Sequence, residues 1–547
     1  MPVDRSGGAP GTVHLYVERL GDDRRKSRAL LFLAGGPGQA ATPLVPGVAP
    51  ALANVLDDRD VLILDQRGTG RSGPLSCKAA RGATEHARVA ACARLLGPAR
   101  NGYATADSVA DIEDVRSALG IDKLTLYGTS YGTKVALDYA AAHPAHVESL
   151  VLDSVVPGGP VEPFGRSTWR ALPRILGQLC AGSRCRGITS DPLGDLVAVE
   201  RRLANAHPRV ARITSHGKLL AGRIAPGSVV DLLYAGDFWP QMRAATPAAV
   251  HAAARGDLAP LTRLVERAYG FSTASYADDP LFVATTCADD AFPWSPGAAR
   301  AVRAAAARRA VARLPRSVTL GLPASTLLGF SSFDSCVDWP ATPSPAVRAP
   351  VPDVPALVVS GGDDLRTPTE DARAVARTLP RSRLLVISGT GHSVIGDTVK
   401  DCPGRALLGF LRGTPFKDCP RENVPAPVRL APRRLADAHR WPRLGRAAGR
   451  ILRATIATLT DVRADADLAG LGPQGGLRRG WFAVGFDGLR LHGVVSVSGL
   501  AVSGLLQGGG TSKLTVRAGV TRGTLRVRPG LITGTIGRAR IRARLRG

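Results

Sequence analysis

The run Gly128-Thr129-Ser130-Tyr131-Gly132 constrains this chain more than any other, because of what stands on either side of it. Lys123 to Tyr127 is a short apolar and β-branched stretch that reads as a buried strand. Lys134 to Ala142 is rich in alanine and reads as a helix. A serine on the sharp turn between a strand and a helix is held with its hydroxyl exposed. The flanking glycines are needed where such a turn is strained and neighbouring backbones come close. The pentapeptide alone is a weak pattern. Between a strand and a helix it predicts a nucleophile at Ser130.

A nucleophilic serine needs a base, an acid to orient that base, and donors for the oxyanion. Ala356 to Ser360 reads as another buried strand and runs into Gly361-Gly362-Asp363-Asp364-Leu365-Arg366-Thr367-Pro368. Asp363 and Asp364 both stand where an orienting acid belongs, and the D-x-x-T-P spacing favours Asp364. Leu384 to Ile387 is again strand-like and leads into Gly389-Thr390-Gly391-His392-Ser393, a loop on which a histidine can swing over the nucleophile. The other nine histidines lack that combination of strand, glycines and order. The expected chemistry is attack by Ser130 Oγ on a carbonyl, proton transfer through His392, and support of the imidazolium by Asp364. Tyr131, next after the nucleophile, is expected to give one oxyanion N–H. Gly35-Gly36-Pro37-Gly38, following the strand-like Ala29 to Leu33, is expected to give the other at Gly36. This chemistry calls for no metal and no organic cofactor.

The chain order Ser, Asp, His on strand-borne loops sets the expected fold class as α/β, an α/β-hydrolase sheet with an inserted helical cap and a C-terminal β-rich domain. Gly35 to Gly38, Asp65-Gln66-Arg67-Gly68-Thr69-Gly70-Arg71-Ser72 and Gly128 to Gly132 together resemble the proline iminopeptidase family of serine peptidases. The likeness is closest to its branch of secreted actinobacterial tripeptidyl aminopeptidases, and it covers the chain from Pro2 to Pro420. It implies hydrolysis near the N-terminus of peptides, through an acyl-enzyme.

Between the strand ending at Asp153 and the one beginning near Ala356 lie about two hundred residues, far more than a connection needs. They show helical spacing at Leu193 to Leu203, Ala245 to Tyr269 and Ala298 to Leu314, and read as a cap that in the family shapes the pocket and admits chain ends. The expected organisation is therefore hydrolase core over 1–158, cap over 159–350, core again over 351–420, a linker and helical segment over 421–470, and a basic β-rich domain over 471–547. An aminopeptidase must also neutralise the substrate's α-ammonium. Asp289, Asp290, Asp334 and Asp338 are the cap acids available, and Asp289 matches the family's C-x-D pattern, although a solvated or helix-capping acid is the commoner role for any one of them.

Eight cysteines fall into near pairs, Cys77 with Cys92, Cys180 with Cys185, Cys287 with Cys336 and Cys402 with Cys419. The family's habit of bridging its last helix supports the last of these. Zinc is the rival use of cysteine, but no C-x-x-C or clustered Cys/His spacing marks a site. Disulfides belong to oxidising compartments, so the expected location is secreted or cell-wall associated, with the cytoplasm as the alternative. The opening Met1 to Gly8 has neither a basic n-region nor an apolar h-region and resembles the start of a mature catalytic domain. A leader upstream of it is the expectation. No apolar run reaches transmembrane length.

Formal charge is +26, and from Pro425 onward 22 basic side chains face 5 acidic ones. Arginine greatly outnumbers lysine, and with abundant alanine, glycine and proline it fits a GC-rich coding sequence, so the distribution says more than the total. Short period-two runs between glycines from Gly480 onward predict a small antiparallel β-sandwich or roll. Arg538 to Arg546 alternates arginine with Ala, Ile and Leu, placing five arginines on one face. Such a face suits an anionic cell-wall polymer or an acidic membrane surface, and equally a solvated packing module. Nucleic acid is disfavoured, without a recognition helix or an aromatic stacking surface. The expected function is a serine exopeptidase of prolyl or tripeptidyl aminopeptidase type. A carboxylesterase of the same fold and a non-catalytic cell-wall or surface-binding protein are the alternatives.

Overall fold

A computed structural model describes residues 1–21, 28–53, 59–78, 84–271, 279–295, 297–340, 350–395 and 401–544. Two compact units make up the chain, Met1–Gln178 with Thr273–Val424, and Leu179–Ser272 with Pro425–Gly547.

The first unit is built on seven strands, β1 (Tyr16–Leu20), β2 (Arg28–Leu33), β3 (Asp60–Asp65), β4 (Lys123–Thr129), β5 (Val147–Asp153), β6 (Ala356–Gly361) and β7 (Ser382–Ile387). Their order in the sheet is β1-β3-β2-β4-β5-β6-β7, with β1 antiparallel and every other pairing parallel. Parallel strands covered on both faces read as continuous apolar runs, which explains Ala29-Leu30-Leu31-Phe32-Leu33. Leu31 and Leu33 face helices α1 (Thr105–Ala118), α2 (Tyr131–Ala142) and α3 (Thr369–Thr378), through Val109, Val135 and Val375. Leu30 and Phe32 face the other way, toward Leu407 and Leu411 of α4 (Cys402–Leu411). The strands β2, β4, β5, β6 and β7 point their C-terminal ends the same way, and Gly36, Ser130, Asp364 and His392 all follow them at that end.

The second unit holds two stretches far apart in sequence. One contains helices Pro192–Ala206, Ser228–Ala235, Pro240–Ala254 and Ala259–Phe271, with a hairpin of Arg209–Ile213 and Leu219–Arg223. The other contains helix α5 (Arg446–Ala469) and an up-and-down antiparallel sheet of eight strands in chain order: β8 (Gly472–Gly475), β9 (Arg479–Gly485), β10 (Gly488–Val495), β11 (Ala501–Leu506), β12 (Ser512–Ala518), β13 (Thr521–Arg528), β14 (Leu531–Ile536) and β15 (Ala539–Arg544). The expected sandwich or roll is corrected here. One face of a single sheet is covered by α5, whose Ile451, Leu452, Leu459 and Val462 pack on Phe482, Leu491, Leu514, Leu525 and Ile541. Arg546 lies outside the described residues.

The stretch 159–350, read from sequence as one cap, is divided between the units. Residues 179–272 belong with the C-terminal sheet, and buried ion pairs hold them there. Arg263 grips Asp461 at 2.9 and 2.6 Å, Arg267 grips Asp465 at 3.0 and 2.9 Å, and Arg478 binds Asp257. The remainder, including helices Pro280–Asp289 and Arg300–Ala312, packs within the first unit. All eight cysteines are joined, as 77–92, 180–185, 287–336 and 402–419. Among the described residues no helix is long and apolar enough to cross a membrane.

Candidate active site

Ser130 sits between β4 and α2 with φ 56° and ψ −124°, a conformation that a residue with a side chain adopts only when its surroundings force it. Those surroundings are explicit. Its N–H donates to Asp153 O at 2.9 Å, and its carbonyl accepts from Thr133 N at 2.9 Å and Thr133 Oγ1 at 2.6 Å. A Cβ on Gly128 would lie 2.3 Å from Gly132 O, and one on Gly132 would lie 2.3 Å from Leu33 O, so only glycine fits at either place. Ser130 itself is half-buried at the head of the helix.

Of the two candidate acids, Asp364 is the one that meets the histidine. His392 Nδ1 is 2.8 Å from Asp364 Oδ2, and both residues are buried. Asp364 Oδ1 accepts from the N–H groups of Arg366 and Thr367 at 2.8 and 2.9 Å, and Thr367 Oγ1 donates to Oδ2 at 2.7 Å. Burial acts to raise the Asp364 pKa. The charge and hydrogen bond of His392, with the Thr367 donors, outweigh it and hold the carboxyl below its ordinary value. A carboxylate acceptor at Nδ1 fixes the proton there and leaves Nε2 for proton transfer. The D-x-x-T-P spacing is explained by the turn it makes, in which Thr367 folds back onto Asp364.

Asp153 is a residue the sequence reading missed. Its carbonyl takes the Ser130 N–H, while its carboxyl accepts from Val394 N at 3.0 Å and Ile395 N at 2.9 Å, the second and third residues after His392. The Ser154 hydroxyl adds a bond to Asp153 Oδ1 at 3.0 Å and itself accepts from Ser393 N at 2.8 Å. Asp153 is fully buried, and burial pushes its carboxyl up against the opposing pull of the Ile395 and Val394 amides and the Ser154 hydroxyl. One residue thus ties the histidine loop to the serine's elbow. The signal was the acid closing the buried run Leu150-Val151-Leu152-Asp153.

The glycine loop lies against the elbow. A Cβ on Gly35 would stand 3.0 Å from Ser130 Cβ, and Gly36 has φ 109° with a cis bond to Pro37. Asp65, at the end of β3, stabilises the residues that follow this loop. Its carboxylate accepts from Ala41 N at 2.8 Å, Thr42 N at 2.9 Å, Thr42 Oγ1 at 2.9 Å and Arg71 N at 2.8 Å. Arg67 is buried and forks onto Asp111 at 2.7 and 2.5 Å while bonding Val3 O and Gly102 O. The Asp65 to Ser72 motif is thereby accounted for as bracing of the loop and its surroundings.

The cap acids separate into two sets. Asp338 is bonded to His86 Nδ1 at 2.7 Å and to Arg300, and Asp334 stands 3.6 Å from His86. Asp289 instead reaches the elbow by a short relay. Thr105 Oγ1 donates to Asp289 and therefore accepts from the Tyr131 hydroxyl, 2.7 Å away, while Thr105 N donates to Asp289 Oδ1 at 3.2 Å. Lys134 Nζ lies 3.9 Å from Asp289 but is bonded to Asp138 Oδ2 and Gly159 O. Burial raises the Asp289 pKa against the pull of Lys134 and Thr105. Asp290 accepts from Ser332 Oγ at 2.6 Å, and burial raises it to about 7, aided by the neighbouring Asp289.

The alpha/beta hydrolase fold profile matches residues 28–173, and the TAP-like protein profile matches residues 328–418. Proline iminopeptidase of Neisseria gonorrhoeae is 36% identical over 126 residues, which are 23% of this chain and 32% of that protein. Tripeptidyl aminopeptidase of Streptomyces lividans is 28% identical over 183 residues, 28% of this chain and 34% of that protein. Serine protease Hip1 of Mycobacterium bovis is 26% identical over 458 residues, 76% of this chain and 84% of that protein. The match spans about a third of the length of the first two relatives. Fold and matches define the class, a chain of the α/β-hydrolase fold with a TAP-like region. Within that class its similarity runs to proteins named as peptidases, at modest identity.

Proposed function

We propose that the chain is a serine aminopeptidase that cleaves peptides near their N-terminus through an acyl-enzyme. Ser130 Oγ attacks the carbonyl, His392 Nε2 accepts the proton and returns it to the leaving amine, and Asp364 holds the imidazole tautomer. The N–H groups of Tyr131 and Gly36 receive the oxyanion. Asp289, with Asp290 beside it, takes the substrate's α-ammonium. The observation that carries this reading is the Asp364–His392 hydrogen bond on a loop that Asp153 ties to the backbone of Ser130. The Tyr131–Thr105–Asp289 relay supports amine recognition beside the nucleophile. Four disulfides support a secreted or cell-wall location.

Kinetics on an aminoacyl arylamide with a free and an N-acetylated terminus test the substrate class. Turnover of the free terminus alone is expected. Equal rates on both would make the chain a carboxylesterase or an endopeptidase-like hydrolase. Ser130→Ala is expected to lower kcat by about 10⁴–10⁶ with thermal unfolding unchanged, and retained turnover would remove Ser130 from the mechanism.

A further inference from the structure

All 45 acidic residues of the chain precede Gly488, yet the segment from Gly488 to Gly547 carries ten arginines and one lysine. A general bias toward arginine does not remove acids, so this segment is under a constraint of its own. Strand alternation then sorts its charges. In β12 to β15 the apolar residues lie under α5, and the cations stand exposed on the opposite side of the sheet.

The register brings these cations together. Lys513 pairs with Arg526 and Arg517 with Arg522, while Arg526 and Arg542 flank Thr533 and Arg528 and Arg544 flank Leu531. Like charges directly opposite one another weaken an antiparallel pair. Among the described residues none of these cations has an acidic partner to relieve that repulsion. Such a face is complementary in charge to an anionic ligand. Neighbouring strands lie about 4.8 Å apart and alternate residues along a strand about 6.8 Å apart, so the charges form a two-dimensional lattice within reach of successive anionic groups on an extended chain. β12 to β15 carry no Phe, Trp, Tyr or His, which leaves no ring on this face for bases to stack on. Thr515, Thr524 and Thr535 fill the row between the cations, where a membrane-inserting surface would need apolar side chains.

We propose that the outer face of β12 to β15 binds an extended phosphodiester polymer that carries one negative charge per repeat and no bases. Guanidinium groups fork onto phosphate oxygens, and the threonine hydroxyls lie between them as further donors. This docking is independent of the hydrolytic reading and neither requires nor alters it.

Binding of poly(glycerol phosphate) to the full chain, measured by calorimetry across a salt series, is the test. Binding should weaken at least about tenfold between 50 and 200 mM salt. Combined Arg526→Ser, Arg542→Ser and Arg544→Ser should lose at least about tenfold in affinity and flatten the salt slope by about two to three, with arylamide turnover unchanged. The corresponding triple Arg→Lys variant keeps the charge but loses the fork, so its affinity should fall between those of the parent and the serine variant with a salt slope near the parent's. If the serine variant fails to fold by circular dichroism, Arg517→Thr with Arg522→Thr decides by the same readout. Absence of binding, wild-type affinity in the folded serine variant, or tighter binding to phosphatidylglycerol vesicles or duplex DNA than to the polymer would overturn the proposal.

Discussion

Asp153 joins the two halves of the candidate site with one side chain and one carbonyl, so its replacement separates positioning from chemistry. In Asp153→Asn one backbone amide of the Val394–Ile395 pair meets an amide NH₂ in place of an oxygen. The expected result is a fall in kcat of about ten- to a hundredfold with KM little changed, read from steady-state kinetics normalised to titrated active sites. Unchanged kcat with a lowered Tm would mean that the residue only supports the fold. Asp290 gives a pH signature. Its folded pKa, about 7, lies above its ordinary 3.8, so its contribution to stability is fully present below pH 3.8 and is lost as pH rises through 7. Asp290→Asn cannot ionise, and its Tm advantage over the parent should grow from pH 4 to pH 7 by a few degrees and then level off, as scanning calorimetry would record. The elbow at Ser130 and the pairing of His392 with Asp364 were legible because each residue follows a recognisable apolar strand in a fixed order. Asp153 was not, because a strand-end acid has many ordinary roles and its two partners lie 241 and 242 residues away.

At the scale of elements, the helical stretch 179–272 shows how local pattern can name a helix and misjudge what it packs on. Its helices were visible from spacing, with Ala245 to Tyr269 broken in two at Gly256, where φ is +91°. Their partner was not visible, because the pairing rests on Arg263 and Arg267 meeting Asp461 and Asp465 across 198 residues. Asp465 is buried against both arginines, so Asp465→Ala leaves two buried cations short of a partner. The expected cost is about 3–5 kcal/mol in the second unit, measurable by urea unfolding followed through Trp481 fluorescence. For Asp461 the sign is the reverse of Asp290. Burial raises its pKa, but Arg263 and Ser496 outweigh that and hold it below the ordinary value. The stability it supplies is therefore present above its unfolded pKa and is lost as pH falls through the lower folded one. The period-two runs of the last eighty residues likewise gave strands, while the helix that replaces a second sheet came from the segment 421–470, read as a linker and helical segment.

Over the whole molecule, four disulfides add a constraint on the unfolded chain that grows with the loop each closes. Cys287–Cys336 closes a separation of 49 residues and Cys180–Cys185 one of 5. Replacing the first pair by alanine should cost about 4 kcal/mol and the second about 2 kcal/mol, compared by denaturant unfolding of the two variants. An equal cost would place the effect in native packing instead of chain entropy. What the sequence by itself determined is whatever depends on near neighbours: buried parallel strands from unbroken apolar runs, the elbow from its two obligatory glycines, the near-paired cysteines, and the surplus of basic charge at the C-terminal end. What only the tertiary structure decided is whatever depends on partners distant in the chain. It made Asp153 the link between serine and histidine loops, gave residues 179–272 to the C-terminal sheet, and gathered the cations of three strands on one face. Hydrogen bonds, ion pairs and strand register join groups by distance in space, and a linear pattern carries that distance only where the chain itself is short.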